Sequence, residues 1–290
     1  MTKIANPIYD VVFKYLMSDN KIAKLMLSTI IGKKVSKLEF RDTERKTDLD
    51  KSIKYHRLDF TAEIIDTDGQ RQVIIIELQK IRLPADILRF RRYLGEQYMN
   101  KENTYIGENK DGDPERKGIQ LLSIYFLGYK LYQNQAPVIK INREVIDNAT
   151  GEKIDEKNEF VDCLTHNSFI IQIPYLKENR RNETEILLSI FDQTLKIKED
   201  EHILNIREED FPEKYRPIIR RLLKAISEPG IRRKMDNEDD LIEEIYHKDL
   251  AIAKRDLMIE NKDKQLDENQ KQLDEKEKII KELKKQLDLK

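Results

Sequence analysis

The chain has 290 residues, 39% hydrophobic and 38% charged, with 54 Lys and Arg against 55 Asp and Glu for a net charge of −1. That is enough for one substantial domain plus an appendage that builds no core. A single cysteine, Cys163, excludes an intramolecular disulfide and a thiolate metal cluster. No apolar run reaches the ~20 residues of a membrane span and no signal-peptide core opens the chain, so no membrane partner and a cytoplasmic location are expected.

Residues 6–31 predict one or two amphipathic helices. Ile8, Val11, Val12, Tyr15 and Leu16 form one stripe, and Ile22, Leu25, Met26, Thr29 and Ile30 a second. Ser18-Asp19-Asn20 supplies the break and an N-cap for the second helix. Asp10 and Lys14 lie one turn apart, the spacing of a weak surface pair. Val35–Arg41 predicts a first strand, and 42–52 a charged loop. Arg41, Arg45, Lys46, Lys51 and Lys54 form a basic run that is either solvated surface or, beside a metal site, a grip on a phosphate backbone.

The stretch from Arg57 to Lys80 carries the chemistry. Asp66-Thr67-Asp68-Gly69 is a turn between two runs rich in β-branched residues, which predicts a hairpin. Centred on Asp68, it places Asp59 opposite Glu77, with Cβ atoms about 4.5–5.5 Å apart. Alternation puts Gln79 on the face of Glu77, and Leu78 and Lys80 on the other. Arg57, Asp59, Thr61 and Glu63 share one face of the first strand; Leu58, Phe60, Ala62 and Ile64 share the opposite one. Val73-Ile74-Ile75-Ile76 is apolar on both faces, as a central strand is. Two facing carboxylates repel, and a hard cation such as Mg²⁺ offsets that repulsion. The competing reading leaves Asp59 and Glu77 at a wet sheet edge, or paired with Arg57 and Lys80.

After the hairpin, Pro84 at a helix N1 position opens a helix to about Glu102. Arg89, Arg92 and Glu96 fall on one face of it with Tyr93 near, equally suited to an ordinary helix surface or to DNA contact. Residues 109–117 predict a turn-rich loop. Gly118–Lys130, Val138–Ile146 and Phe169–Ile173 predict strands, the last stopped by Pro174. Asn182–Ile197 and Pro212–Ser227 predict helices, and Glu228-Pro229-Gly230 a stop. The four histidines, His56, His166, His202 and His247, show no ligand spacing. The alternation of helices and strands predicts an α/β fold with a mixed sheet flanked by helices, over residues 1–235.

Residues 236–290 differ in character. They carry 12 basic and 17 acidic residues, which leaves 42 and 38 in the chain before them, a mildly basic body compatible with phosphate contacts. Ile245, Ile252, Ile259, Leu266, Leu273, Ile280 and Leu287 recur every seven residues, which predicts a long helical tail. Three residues after each stand Lys248, Arg255, Lys262, Asn269, Lys276 and Leu283, a poor second core column. The tail is therefore a weak homodimeric coiled coil, a partner-binding helix or a single solvated helix; a homodimer through it is the favoured expectation.

An N-terminal Asn6-Pro7-Ile8-Tyr9-Asp10-Val11-Val12-Phe13-Lys14, an Arg57-Leu58-Asp59 strand, an Ile76-Glu77-Leu78-Gln79 strand and the helix from Arg89 to Tyr98 together resemble the PD-(D/E)XK nuclease superfamily. Within it they are similar to the recombination-promoting nuclease and putative transposase family, over about residues 5–200. The resemblance implies a restriction-endonuclease-like fold and a Mg²⁺- or Mn²⁺-dependent DNA endonuclease linked to recombination or mobile elements. Asp59 and Glu77 would hold the metal with the main-chain carbonyl of Leu78. Gln79 stands where the superfamily has Lys, and offers a neutral amide in place of a positive charge. Either Gln79 suffices to orient the water, or Lys14 or Lys54 reaches the same space. The alternative is a catalytically inactive nuclease-fold module that binds DNA or protein, with its function in the tail.

Overall fold

A computed structural model describes residues 1–41, 60–83, 86–109, 111–131, 135–156, 158–176 and 180–287. Compact packing divides the chain into a body, residues 1–82 and 86–239, and a second unit of residues 83–85 and 240–290.

The body begins with a short strand, β1 (Thr2–Ala5), followed by α1 (Asp10–Met17) and α2 (Asn20–Ile31). The Asp19 carboxylate accepts from the amides of Lys21 and Ile22, which caps α2 at the expected break. Gly32 ends α2 at φ 75°, a conformation that costs glycine little. Next come β2 (Val35–Phe40), β3 (Phe60–Asp66) and β4 (Arg71–Gln79). Phe60 pairs with Ile76 and Ile65 with Arg71, the register the turn predicts. Asp66 closes that turn by accepting from the amides of Asp68 and Gln70. Asp59, with Lys54 and His56, lies outside the described residues.

Helix α3 (Asp86–Met99) follows, three residues shorter than predicted, and a 3₁₀ turn at Lys101–Asn103 fills the gap. The predicted loop over 109–117 is instead part of a two-stranded hairpin, β5 (Thr104–Glu108) and β6 (Pro114–Gly118). Its turn is built by Asn109, whose side chain accepts from the amides of Asp111 and Asp113. Strand β7 (Gln120–Leu127) is central, whereas β8 (Val138–Ile141) stops well short of Ile146. After α4 (Glu159–Leu164) and β9 (Asn167–Gln172), Pro174 sits in a 3₁₀ turn, as its lack of a donor requires.

The main sheet has the order β2-β3-β4-β7-β9-β8. Pairings β4–β7 and β7–β9 are parallel, while β2–β3, β3–β4 and β8–β9 are antiparallel. The protein is thus α/β with a mixed six-stranded sheet. Central β4 is buried along Val73–Ile76, as its two-sided apolarity demands. One face, with Ala62, Ile64, Ile74, Ile76, Ile124 and Phe126, packs with residues of α1, α2, α5 (Glu183–Leu188) and α6 (Arg216–Ser227). The other face packs Val73, Ile75 and Leu121 with Tyr93 of α3.

The predicted helix over Asn182–Ile197 is corrected. Only α5 forms; Ser189–Phe191 and Gln193–Leu195 are 3₁₀ turns, with Asp192 extended at φ −59°, ψ 110° and its carboxylate holding the Thr194 amide. Strands β10 (Lys196–Ile197) and β11 (Asp200–Ile206) then pair, and β11 pairs with β1 to make a second, three-stranded sheet. Helix α7 (Ile231–Leu287) starts just after the predicted stop.

Its first turns reach the residue next to the site strand. Lys80 forms an ion pair with Asp239 and lies 3.8 Å from the centroid of the Tyr9 ring. Tyr9 donates its hydroxyl to Asp239 at 3.0 Å, and His202 Nε2 lies 2.8 Å from the same carboxylate oxygen. Burial would raise the Asp239 carboxyl, but hydrogen bonds from Lys80, His202 and Tyr9 hold it below the ordinary value. Lys80 is thereby occupied on the face away from Glu77, which removes it as a partner for that carboxylate. No described helix is long and apolar enough to cross a membrane.

Candidate active site

The site is built at the C-terminal end of β4. Strand alternation turns Glu77 and Gln79 toward the α3 side, and both are buried. Gln79 Nε2 donates to Glu77 Oε1 at 3.0 Å. The chain leaves the strand beside Gly128, whose amide donates to the Gln79 carbonyl at 2.7 Å. A Cβ on Gly128 would stand 2.2 Å from the Lys80 carbonyl oxygen, so only glycine allows this approach. Leu78 points into the main core, and its backbone lies in register with Phe126 of β7.

Helix α3 brings a cation to Glu77. Arg89 Nη2 is 3.5 Å from Glu77 Oε1 and 3.1 Å from Asp86 Oδ1. Asp86 is buried and bonds to the Tyr129 hydroxyl, whose pKa is pushed up to about 12 by its own burial and by that carboxylate. Tyr125 sits in register with Glu77 on β7 and is also raised, by burial first and then by the Glu77 charge. Phe90 packs against Tyr125 at 5.1 Å between centroids.

The electrostatics turn on Glu77. Burial drives its carboxyl up to about 8; the Arg89 charge and the Gln79 hydrogen bond pull the other way, and the Lys14 charge adds a smaller pull. Its Oε2 is buried and has no hydrogen-bond partner among the described residues. A buried acceptor left unmatched costs about 1–3 kcal/mol, which is the signature of a position that a cation or water completes. The donor chemistry suits a hard divalent ion, which takes one or two carboxylates and keeps water for the remainder. Among the described residues no group of three His, Cys, Asp or Glu side chains is arranged to hold a metal.

The sequence-predicted residues divide accordingly. Glu77 and Gln79 stand together, and Arg89 joins them as the inward partner of two carboxylates. Arg92 faces solvent, paired with Glu96 at 3.1 Å, so the two arginines have separate surroundings. Lys14 pairs with Asp10 at 2.8 Å and reaches Glu77 only through its field. Asp86, Tyr125 and Tyr129 were missed. Asp86 has a sequence signal, its i, i+3 spacing to Arg89; the tyrosines come from β7 and the turn after it, with none.

At the other end of β4, Arg71, Tyr105, Gln120 and Cys163 help line a cleft of ≈ 370 Å³. Arg71 lies 4.9 Å over the Tyr105 ring, and with Arg41 it clamps Glu63. No family model, no curated protein and no solved structure matches this chain.

Proposed function

We propose that the protein is a metal-dependent DNA endonuclease of the PD-(D/E)XK type, with a restriction-endonuclease-like body. One observation carries this reading: Glu77, at the end of the central strand, is a buried carboxylate with one oxygen unpartnered among the described residues and a glutamine bound to its other one. The sequence resemblance supplies Asp59 as the second carboxylate, and the β3–β4 register runs toward that pairing.

In this reading Glu77 and Asp59, with the Leu78 carbonyl, hold Mg²⁺ or Mn²⁺. When bound, the ion supplies a Lewis acid for the phosphoryl oxygen and lowers the pKa of a coordinated water. Gln79 uses its amide donor on Glu77, which fixes the side chain and leaves its carbonyl oxygen to accept from the attacking water. Arg89 keeps a positive charge beside Glu77, part of what the superfamily lysine provides elsewhere. Arg91 and Arg92, exposed on α3, are suited to phosphate contacts.

A second reading has its own support. Arg89 already stands between Glu77 and Asp86, where an inactive nuclease-fold module that binds DNA or protein would need no metal to balance their charge. Plasmid cleavage with Mg²⁺ or Mn²⁺ separates the two. The active reading expects nicking or linearisation by the parent, lost in folded Glu77→Gln and Asp59→Asn, together with a metal-dependent rise in Tm that both variants lose. A folded parent that neither cleaves nor responds to metal refutes it.

A further inference from the structure

The second unit presents an apolar ridge along one side of α7. Ile252, Ile259, Leu266, Leu273 and Ile280 are 50–64% exposed. From Ile245 to Ile280 the ridge runs about 53 Å at the helical rise of 1.5 Å per residue. Such a ridge asks for a cover, and the columns beside it identify one.

Three residues beyond each ridge position run Lys248, Arg255, Lys262, Asn269 and Lys276. Four residues beyond run Asp249, Asp256, Asp263, Gln270 and Glu277. At 3.5 residues per turn these columns lie on opposite sides of the ridge, about 50° from it. One flank is basic and the other acidic. Where the acidic column turns neutral, at Gln270, the basic column turns neutral as well, at Asn269.

We propose that α7 pairs with α7 of a second copy of this chain, parallel and in register. In that arrangement ridge meets ridge, and the two-fold axis sets the basic flank of each chain against the acidic flank of the other. Asp249 then faces the partner's Lys248, Asp256 the partner's Arg255, Asp263 the partner's Lys262 and Glu277 the partner's Lys276. Gln270 faces the partner's Asn269. Each basic side chain thus meets an acid of the partner, so the charges of a layer cancel. An antiparallel pair fails because it sets acid against acid and base against base along both flanks. A shift of one heptad sets the neutral Asn269–Gln270 layer against charges, so the pattern specifies register too. Within the helix, Lys248 and Lys264 pair with Glu244 and Glu260 one turn before them; these are local pairs and do not cover the ridge. The inference does not depend on whether the body is a nuclease.

The test uses the full chain with Cys163→Ser, so that an added cysteine is the sole thiol. Sedimentation should give a mass of two chains. On oxidation, Ile252→Cys should link only to itself, and Ile280→Cys only to itself. A mass-tagged mixture of the two should contain no 252–280 link, because those positions stand about 42 Å apart along a parallel pair. Lys262→Glu should raise the dissociation constant by roughly tenfold, since it acts twice in a two-fold pair. Adding Asp263→Lys should restore it, and helicity by circular dichroism checks each variant. A monomer at every concentration, a mass of three or more chains, a 252–280 link, or a charge reversal that leaves affinity unchanged would overturn the proposal.

Discussion

Glu77→Gln is expected to stabilise the protein against unfolding above neutral pH, although it removes the central residue of the site. The Glu77 carboxyl titrates near 4.5 when unfolded and near 8 when folded. A carboxyl raised on folding contributes stability that is fully present below the unfolded value and is lost as pH rises through the folded one. Each pH unit inside that window costs up to about 1.4 kcal/mol. Three pH units between pH 5 and pH 8 bound the effect at about 4 kcal/mol, and relaxation and water entry around the ionised carboxylate bring it to about 2 kcal/mol. Glutamine keeps the acceptor and the shape without the titration. At about 2–4 °C per kcal/mol for a body of this size, the variant should match the parent near pH 5 and exceed its Tm by roughly 4–8 °C at pH 8, without divalent metal. Comparing the two proteins at each pH cancels every other titrating group. A Tm difference that stays constant from pH 5 to pH 8 would refute the assignment of Glu77 as a strained buried acid.

Glu63→Gln should behave in the opposite sense. Burial alone would raise the Glu63 carboxyl, but hydrogen bonds from Arg41 at 2.6 Å and Arg71 at 2.7 Å bring it below its ordinary value. Its loss should cost about 1–2 kcal/mol at neutral pH by urea unfolding, shrinking as pH falls through the folded pKa. Lys80→Met leaves Asp239, 39% exposed, with Tyr9 and His202 as its partners and should cost about 1 kcal/mol by the same assay; an unchanged midpoint would show that the Lys80 ion pair adds nothing. Gly128→Ala should abolish soluble expression or cost more than about 3 kcal/mol, because the clash is with backbone. Gly95→Ala, within α3 and open to space, should instead stabilise by about 0.5–1 kcal/mol.

What was legible in the sequence was what local chemistry determines. The Asp66–Gly69 turn and the alternation on either side gave the β3–β4 register residue by residue. The same alternation put Glu77 beside Gln79. Central placement of β4 followed from its two-sided apolarity. The three-stranded sheet was invisible because Thr2–Ala5 is too short to show a period, and its partner lies some two hundred residues away. Asn182–Ile197 has helical composition throughout, yet Asp192 prefers to bond its own downstream amide, and that breaks the run. The spacing of Arg89, Arg92 and Glu96 suits an ordinary helix surface or DNA contact equally, because helix spacing shows which residues share a side, not which side a sheet will cover. Its inward place depends on Glu77 being buried, a tertiary fact.

The pairing of β1 with β11 also shapes how the chain is made. Thr2 bonds in register with Ile206, so β1 must wait for a strand made about two hundred residues after it. At roughly 5–20 residues per second, that interval is about ten to forty seconds. During it the Ile4 and Ala5 side chains, fully buried in the finished fold, have no sheet to join. The nascent chain thus carries an open apolar edge through that interval, and the yield of folded protein should depend on holdase chaperones and on translation speed more than the stability of the finished body suggests.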